Sequence, residues 1–365
     1  MSASQVGDQR VPGSLLAELA ARMEESNASD LHLQEGLPPY LRVVGGLRPQ
    51  EDMGPLDGDA LAAMVRELLD ERSVGHLESH GAVDAGVRFG GMRMRVNVFR
   101  HEGGLAASIR RIPAAPPVFQ DLNLPSVVKR FANLPRGLVI VCGPTGSGKS
   151  TTLAALVNHI NSTRRAHIVT IEDPVEFVHP SRTGLVVQRE VGRHTSSFAD
   201  ALRDALREDP DVLLVGEMRD LETIELALRA AETGHLVFST LHTSGAAGSL
   251  ARIVDAFEPG ARSTVRVQLS LVLVGVVSQV LLATKDGKGR VPACEVLVVN
   301  DAVRHLIREN KLEQIPNLIQ AGGADGMLTF PAHIAELARA GKIDTAGGLE
   351  AVGEAWRIAD ILFEG

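Results

Sequence analysis

Apolar and polar positions change period several times along the first hundred residues. In SLLAELAARMEE, residues 14–25, Leu15, Leu16, Leu19 and Met23 recur at helical spacing. DLHLQEGLPPYLRVVGGLRP then places short apolar runs on either side of a Pro-Pro pair, which predicts two short strands and a turn. Residues 57–79 return to a helical stripe made by Leu61, Met64, Val65, Leu68 and Leu69. From 83 to 111 the pattern predicts three strands, turning at Gly90-Gly91 and Gly103-Gly104. These elements describe a small α+β domain.

The segment IPAAPPVFQDLNLP carries Pro113, Pro116, Pro117 and Pro125, a density that makes a stiff, extended connector. The expected division is residues 1–112, a linker at 113–118, and a second domain over 119–365. In that second domain strands alternate with helices. GLVIVCG, HIVTIE, VLLVGE and HLVFSTLHT read as strands. Between them, Leu153, Leu156, Val157 and Ile160 mark a helix over 149–163, and Phe198, Leu202 and Leu206 mark another. LETIELALRAAETG is a third helix, closed by Gly234. This order predicts a doubly wound α/β fold with a mostly parallel sheet. Residues 300–365 read as mainly helical. The run VQLSLVLVGVVSQVLLA, residues 267–283, falls short of the ~20 apolar residues of a membrane span and is interrupted by Gln268 and Gln279. A buried helix is expected there, although the run is rich in β-branched residues.

Composition narrows the function classes. The 365 residues include 37 Lys+Arg and 45 Asp+Glu, a net charge of −8, with 3% aromatics. That leaves little for tracking phosphates along a nucleic acid or stacking on its bases. With two cysteines, Cys142 and Cys294, neither a disulfide scaffold nor a four-cysteine zinc site is expected. Cys142 ends an apolar run and reads as a buried thiol in a reducing compartment. The opening MSASQVGDQRVPG lacks the apolar core of a signal peptide.

GPTGSGKST matches G-x-x-x-x-G-K-[ST], and it follows a strand and opens a helix, as the motif requires. Its residues Gly143, Pro144, Thr145, Gly146, Ser147, Gly148, Lys149, Ser150 and Thr151 form the expected phosphate-binding loop. The glycines let backbone N–H groups turn toward phosphate oxygens, and the helix N-terminus adds its dipole. Lys149 is expected on the β- and γ-phosphates, Ser150 on Mg²⁺, and Thr151 near the α-phosphate. Guanine-binding loops usually pair with N-K-x-D. The nearest string, NKLE at 310–313, lacks the Asp, so ATP is the expected nucleotide.

Other polar residues end neighbouring strands: Glu172 and Asp173, then Glu217, then His242. In an open parallel sheet ligands bind outside the carboxyl ends of the strands, so these residues and the loop are expected on one edge. Blander roles stay open for each. Glu172 and Asp173 could cap a turn, Glu217 could pair with Arg219, and His242 could be a structural histidine. His235 lies at a strand's start, away from that edge. Asp209 and Asp211 precede their strand and read as structural.

Taken together these residues resemble the secretion and pilus motor ATPases, most closely the PilT-like type IV pilus retraction ATPases. ASDLHLQEGLPPYLRVVGGLRP resembles that family's N-terminal signature, IEDPVEF its Asp box, LLVGEMRD its Walker B segment and GHLVFSTLHT its His box. The resemblance implies a homohexameric ring whose chains carry an N-terminal PAS-like domain and a C-terminal RecA-like domain. It implies Glu172 as the glutamate that activates water, Glu217 as the Walker B glutamate acting on Mg²⁺ and its shell, and His235 and His242 as coupling residues. By position Arg95 and Arg110 resemble the arginine-finger candidates, and MRMRVNVFR places Arg93, Arg95 and Asn97 on one strand face. The implied setting is the cytoplasmic side of the inner membrane, with a membrane platform protein, and in some systems a paralogous pilus ATPase, as partners. Two features depart from the retraction pattern. AVRHL, Ala302 to Leu306, stands where A-I-R-N-L is usual, and Leu271 and Val274 stand where a Glu and an Arg are usual. An accessory paralogue, or an assembly or secretion ATPase, is the alternative reading.

Overall fold

The computed structural model of the chain describes residues 14–344, save 44–45, 114 and 288, together with residue 353. Its internal contacts divide between Ala115 and Pro116 into two units.

In the first unit, α1 (Leu15–Glu25), α2 (Gly58–Leu68) and α3 (Glu71–His80) accompany six strands. These are β1 (Asp30–Gln34), β2 (Tyr40–Val43), β3 (Gly46–Pro49), β4 (Ala82–Phe89), β5 (Met92–His101) and β6 (Gly104–Ile112). They form one antiparallel sheet in the order β3-β2-β1-β6-β5-β4. Alternate residues Leu31, Leu33, Val96, Val98, Ala107 and Ile109 join a core with Leu16, Leu19, Met23, Leu61 and Met64 from the helices. Two expectations are corrected here. The helix expected over 57–79 is two helices, because Leu69 is extended (φ −102°, ψ 142°) and the Asp70 side chain accepts from Ser73 N to cap a new start. The two strands expected near the Pro-Pro turn are three. Every residue of β3 is exposed, so no buried alternation announces it.

The second unit contains the alternating pattern. Its helices are α4 (Ser126–Phe131), α5 (Lys149–Thr163), α6 (Phe198–Ala205), α7 (Leu221–Glu232), α8 (Gly245–Asp255) and α9 (Arg262–Val272), followed by α10 (Asp301–Arg308), α11 (Ile315–Ala321) and α12 (Phe330–Arg339). The last three meet the helical expectation for the C-terminal region, whose residues past 344, except 353, lie outside the described set. The strands are β7 (Gly137–Cys142), β8 (His167–Glu172), β9 (Leu185–Glu190), β10 (Val212–Val215), β11 (Leu236–Leu241), β12 (Leu273–Ala283) and β13 (Arg290–Val298). They make a seven-stranded sheet, β13-β12-β7-β11-β10-β8-β9, parallel except where β13 meets β12. All six residues of β7 are buried. Leu138, Ile140 and Cys142 face the core shared with α6 to α11, while Val139 and Val141 face the core shared with α4 and α5. Burial on both faces is why β7 reads as an unbroken apolar run.

The helix expected over 267–283 is corrected as well. Helix α9 ends at Val272, and Leu273–Ala283 is strand β12, held between β7 and β13. A strand buried on both faces shows no alternation, so its periodicity cannot be told from that of a buried helix. The β-branched residues decide it, helped by Gly275, where a Cβ would lie 2.2 Å from the Phe131 ring. Leu271 is thus an exposed residue on α9, and Val274 lies in the sheet.

Strand register fixes the edge at which the polar residues emerge. Leu241 lies opposite Cys142, Ser239 opposite Val215, and Val215 opposite Ile171. Gly143, His242, Glu217 and Glu172 therefore leave adjacent parallel strands at the same end.

Candidate active site

The loop after β7 is built by its glycines. Gly143, Gly146 and Gly148 have φ of 143°, 80° and 87°, in the region that favours glycine. At Gly143 space is also limiting, because a Cβ there would lie 2.2 Å from the Gln279 carbonyl oxygen. Thr145 and Gly146 are exposed at the tip, while Ser150 and Thr151 are half-buried in the first turn of α5, whose leading N–H groups have no partner within the helix. Lys149 is buried and folds back, its Nζ donating to Gly143 O at 2.8 Å and Pro144 O at 3.0 Å. Burial pushes its pKa down to about 8, against the pull of Glu217 and Glu176. It forms no salt bridge among the described residues. Ser147 Oγ is buried without a hydrogen-bond partner. A buried ammonium held by neutral carbonyls, beside free helix N–H groups, fits a phosphate chain.

Two carboxylates at the same sheet edge as the loop are in opposite electrostatic states. Glu172, at the end of β8, is half-buried, and burial pushes its pKa up to about 7. Thr170 Oγ1 donates to Glu172 Oε1 at 2.7 Å and Gln188 Nε2 donates to the same oxygen at 3.2 Å. Oε2 has no side-chain donor among the described residues, although the Glu176 backbone N–H faces the carboxylate. Glu217 follows β10 with its side chain 12% exposed. Burial works against its charge, but hydrogen bonds from His242 and Arg219 outweigh that and hold its pKa below the usual carboxylate value. Arg219 Nε lies 2.7 Å and His242 Nε2 3.5 Å from Glu217 Oε2. The ion pair with Arg219 is formed, and together with the His242 hydrogen bond it favours the ionised form of Glu217.

His235 lies elsewhere. It precedes β11 at the opposite end of the sheet, where its carbonyl accepts from Gly137 N and its Nδ1 lies 2.9 Å from Ala230 O. Asp211, also at that end, accepts from His167 N at 2.8 Å. Arg95 and Arg110 belong to the first unit, directly opposite each other on β5 and β6. Arg95 grips Asp84 with three hydrogen bonds of 2.6 to 3.2 Å, and Arg110 Nε meets the buried Asp30 at 2.7 Å.

Two glutamines were missed as site residues. Gln188, on β9, joins Glu172 to the segment after it, since its Oε1 accepts from His179 N at 2.8 Å and its Nε2 also meets Phe177 O at 2.9 Å. Gln279, on β12, is wholly buried against the phosphate loop. Neither sits in a motif, and the signal at Gln279 was its polarity inside an apolar run. No group of three or more metal-ligating side chains exists among the described residues.

Comparison with known proteins bears directly on this arrangement. The family model for type II/IV secretion system proteins matches residues 92–325. The type IV pilus retraction ATPase PilT of Pseudomonas aeruginosa is 47% identical over 92% of this chain and 97% of its own length. The type IV pilus ATPase PilU of the same organism is 36% identical over 89% of this chain and 85% of its own. A crystal structure of the pilus retraction motor PilT with bound ADP superposes with a TM-score of 0.85 at 46% identity, over 93% of this chain and 96% of that one. The chain belongs to the type II/IV secretion system protein family and, within it, to the PilT-like pilus retraction ATPases.

Proposed function

We propose that the chain hydrolyses ATP with Mg²⁺ at this sheet edge, as one subunit of a homohexameric ring that powers type IV pilus retraction and twitching. The observation that carries the site assignment is the splitting of two neighbouring carboxylates. Glu172 is poised near neutrality while Glu217 is held ionised, the pattern of a base beside a metal-directed group.

In this mechanism the backbone of Gly143–Gly148 and Lys149 hold the phosphate chain of ATP. Glu172 takes a proton from the attacking water through Oε2, while Thr170 and Gln188 fix Oε1 and so set the direction of Oε2. The water oxygen bonds to the γ-phosphorus, the bond to the ADP oxygen breaks, and ADP and phosphate leave. Ser150 Oγ and, through water, Glu217 would hold Mg²⁺, which supplies charge neutralisation on the β- and γ-phosphates. His242 reports on that centre through Glu217 and carries its state into the loop before α8. Arg95 and Arg110 are proposed to act on the γ-phosphate from another subunit, and His235 to couple strand β11 to a subunit contact. The proposed partners are a platform protein at the cytoplasmic face of the inner membrane and, in a mixed motor, a paralogous pilus ATPase. No nucleic acid is required.

The altered AVRHL segment motivates the accessory-motor reading. Its Arg304 caps α9 by donating to Ser270 O at 2.6 Å and Leu271 O at 3.1 Å, and His305 is exposed. Higher identity to PilT than to PilU favours the primary motor. Steady-state ATPase assays on the purified chain and on Glu172→Gln test the enzyme. Equal rates refute the role of Glu172, and no turnover by the wild-type chain alone favours the accessory reading. Deletion of the gene is expected to give surface pili without twitching, whereas loss of pili would mark an assembly motor.

A further inference from the structure

Hydrogen bonding between β7 and β12 ends at the pair Cys142 and Ser278. One step further along β12, Gln279 reaches into the phosphate loop. Its side chain is fully buried, and it contacts a segment 132 residues away in sequence. Its Nε2 donates to Ser147 O at 2.7 Å, and its Oε1 accepts from Thr152 Oγ1 at 2.9 Å. Its own carbonyl oxygen lies against Gly143, and its Nε2 would lie 3.2 Å from a Cβ at Gly148. Both ends of the loop and its middle therefore meet this single residue.

The bond to Ser147 O has a consequence through the peptide plane. A trans peptide is flat, and its C=O and N–H point in opposite directions. With the Ser147 carbonyl turned inward to Gln279, the N–H of Gly148 must point outward, to the side where phosphate binds. A peptide beside a left-handed glycine is free to rotate unless something holds its oxygen. The orientation of the amide is not ambiguous: the Ser147 carbonyl can only accept, so Nε2 must face it, and the Thr152 hydroxyl then donates to Oε1 and holds the amide in place.

We propose that Gln279 is a positioning residue for nucleotide binding: it holds the Ser147–Gly148 peptide so that the loop presents a donor to the phosphates before nucleotide arrives. The proposal rests on the assignment of 143–151 as the nucleotide phosphate site. Gln279 does not touch the reacting atoms and acts on the affinity of the cradle more than on the chemical step.

The test uses the full chain. Gln279→Met keeps the length and volume of the side chain and removes both hydrogen bonds. Affinity for ADP and competition by inorganic pyrophosphate are measured with kcat and KM for ATP. The dissociation constants for ADP and pyrophosphate should rise together by about tenfold or more, and KM with them, while kcat changes by less than about threefold. Ser278→Ala, next to Gln279 on β12, loses a contact with Cys142 of β7 and should leave both affinities at the wild-type value. Gln279→Glu gives a second readout. A protonated glutamic acid can donate to Ser147 O and an ionised one cannot, so its affinity relative to wild type at each pH should recover as pH falls. Lys149, the charged side chain in the same loop, titrates in every variant, so the ratio for Gln279→Glu is compared with that for Gln279→Met, in which nothing titrates at 279. Wild-type affinity in Gln279→Met, or loss for ADP without loss for pyrophosphate, overturns the proposal. If Gln279→Met does not fold, a pH-independent ratio for Gln279→Glu overturns it. A wild-type chain that binds neither ligand would instead refute the phosphate site itself.

Discussion

Replacing Glu172 by glutamine should abolish turnover and stabilise the fold, and the two effects have one cause. The carboxylate sits where burial favours its neutral form, moving its pKa from 4.5 to about 7 in spite of hydrogen bonds from Thr170, Gln188 and the Glu176 backbone. At about 1.4 kcal/mol per unit that shift is worth about 3 kcal/mol, and about 1–2 kcal/mol once water at Oε2 is allowed for. The sign follows from linkage. A folded-state pKa above the unfolded value gives stability that is fully present below about pH 4.5 and is lost as pH rises through about 7. Glutamine keeps an acceptor for Thr170 and Gln188 but never ionises, so Glu172→Gln escapes the loss. Its advantage over wild type should be small near pH 5 and largest above pH 8. Thermal unfolding without nucleotide at those two pH values is the assay. The variant should melt about 2–8 °C above wild type at pH 8.5, taking ~2–4 °C per kcal/mol for a unit of this size, with a clearly smaller gap at pH 5. Turnover at pH 8 should fall by about a hundredfold or more, with ADP affinity within about threefold of wild type. Wild-type turnover should itself decline below about pH 7 as the base takes up its proton. An equal melting difference at both pH values would show that ionisation of Glu172 is not what the fold resists. Unchanged turnover would remove it from catalysis altogether.

Three further outcomes are expected. Burial holds the Lys149 pKa at about 8, so wild-type ADP affinity should weaken as pH rises past that value, and Lys149→Met at pH 7 should bind as weakly as the wild type at high pH, by fluorescent-nucleotide titration. Glu217→Gln should raise the Mg²⁺ concentration for half-maximal turnover by about tenfold while leaving ADP binding in chelator unchanged; equal weakening of both would make Glu217 a structural partner of Arg219. Arg95 and Asp84 are both more than a third exposed, so Arg95→Ala should shift stability by less than about 1 kcal/mol yet lower turnover, and mixing it with Glu172→Gln subunits should restore part of the rate; no recovery would argue against action between subunits.

The parts of the site legible in sequence were those that the chain encodes locally. The phosphate loop announces itself because its backbone needs glycine at φ values that few other residues adopt, within a strand-loop-helix context. Glu172, Glu217 and His242 were legible because parallel strands carry their ends to one edge whatever the strand order. Strand order itself was not legible. Nothing local in LVGVVSQVLLA says that it lies beside β7, and a strand buried on both faces has the same apolar run as a helix. Edge strands β3 and β9 went unread for the opposite reason, since their residues are too exposed to alternate cleanly.

Gln279 shows what that difference means for function. In sequence it is a polar break in an apolar run, and its use there was to argue against a membrane span. In the fold the same polarity has a cause. A glutamine with no exposure must have both ends of its amide satisfied, and the two groups that satisfy it are Ser147 O and Thr152 Oγ1, on either side of Lys149. The glycines share that cause. Gly143 and Gly148 are required by their backbone angles, as the motif says, and also because Gln279 leaves no room for a Cβ at Gly143 and little at Gly148. Those two motif positions are therefore set in part by a strand more than a hundred residues away, and a substitution there that tolerated positive φ would still meet β12.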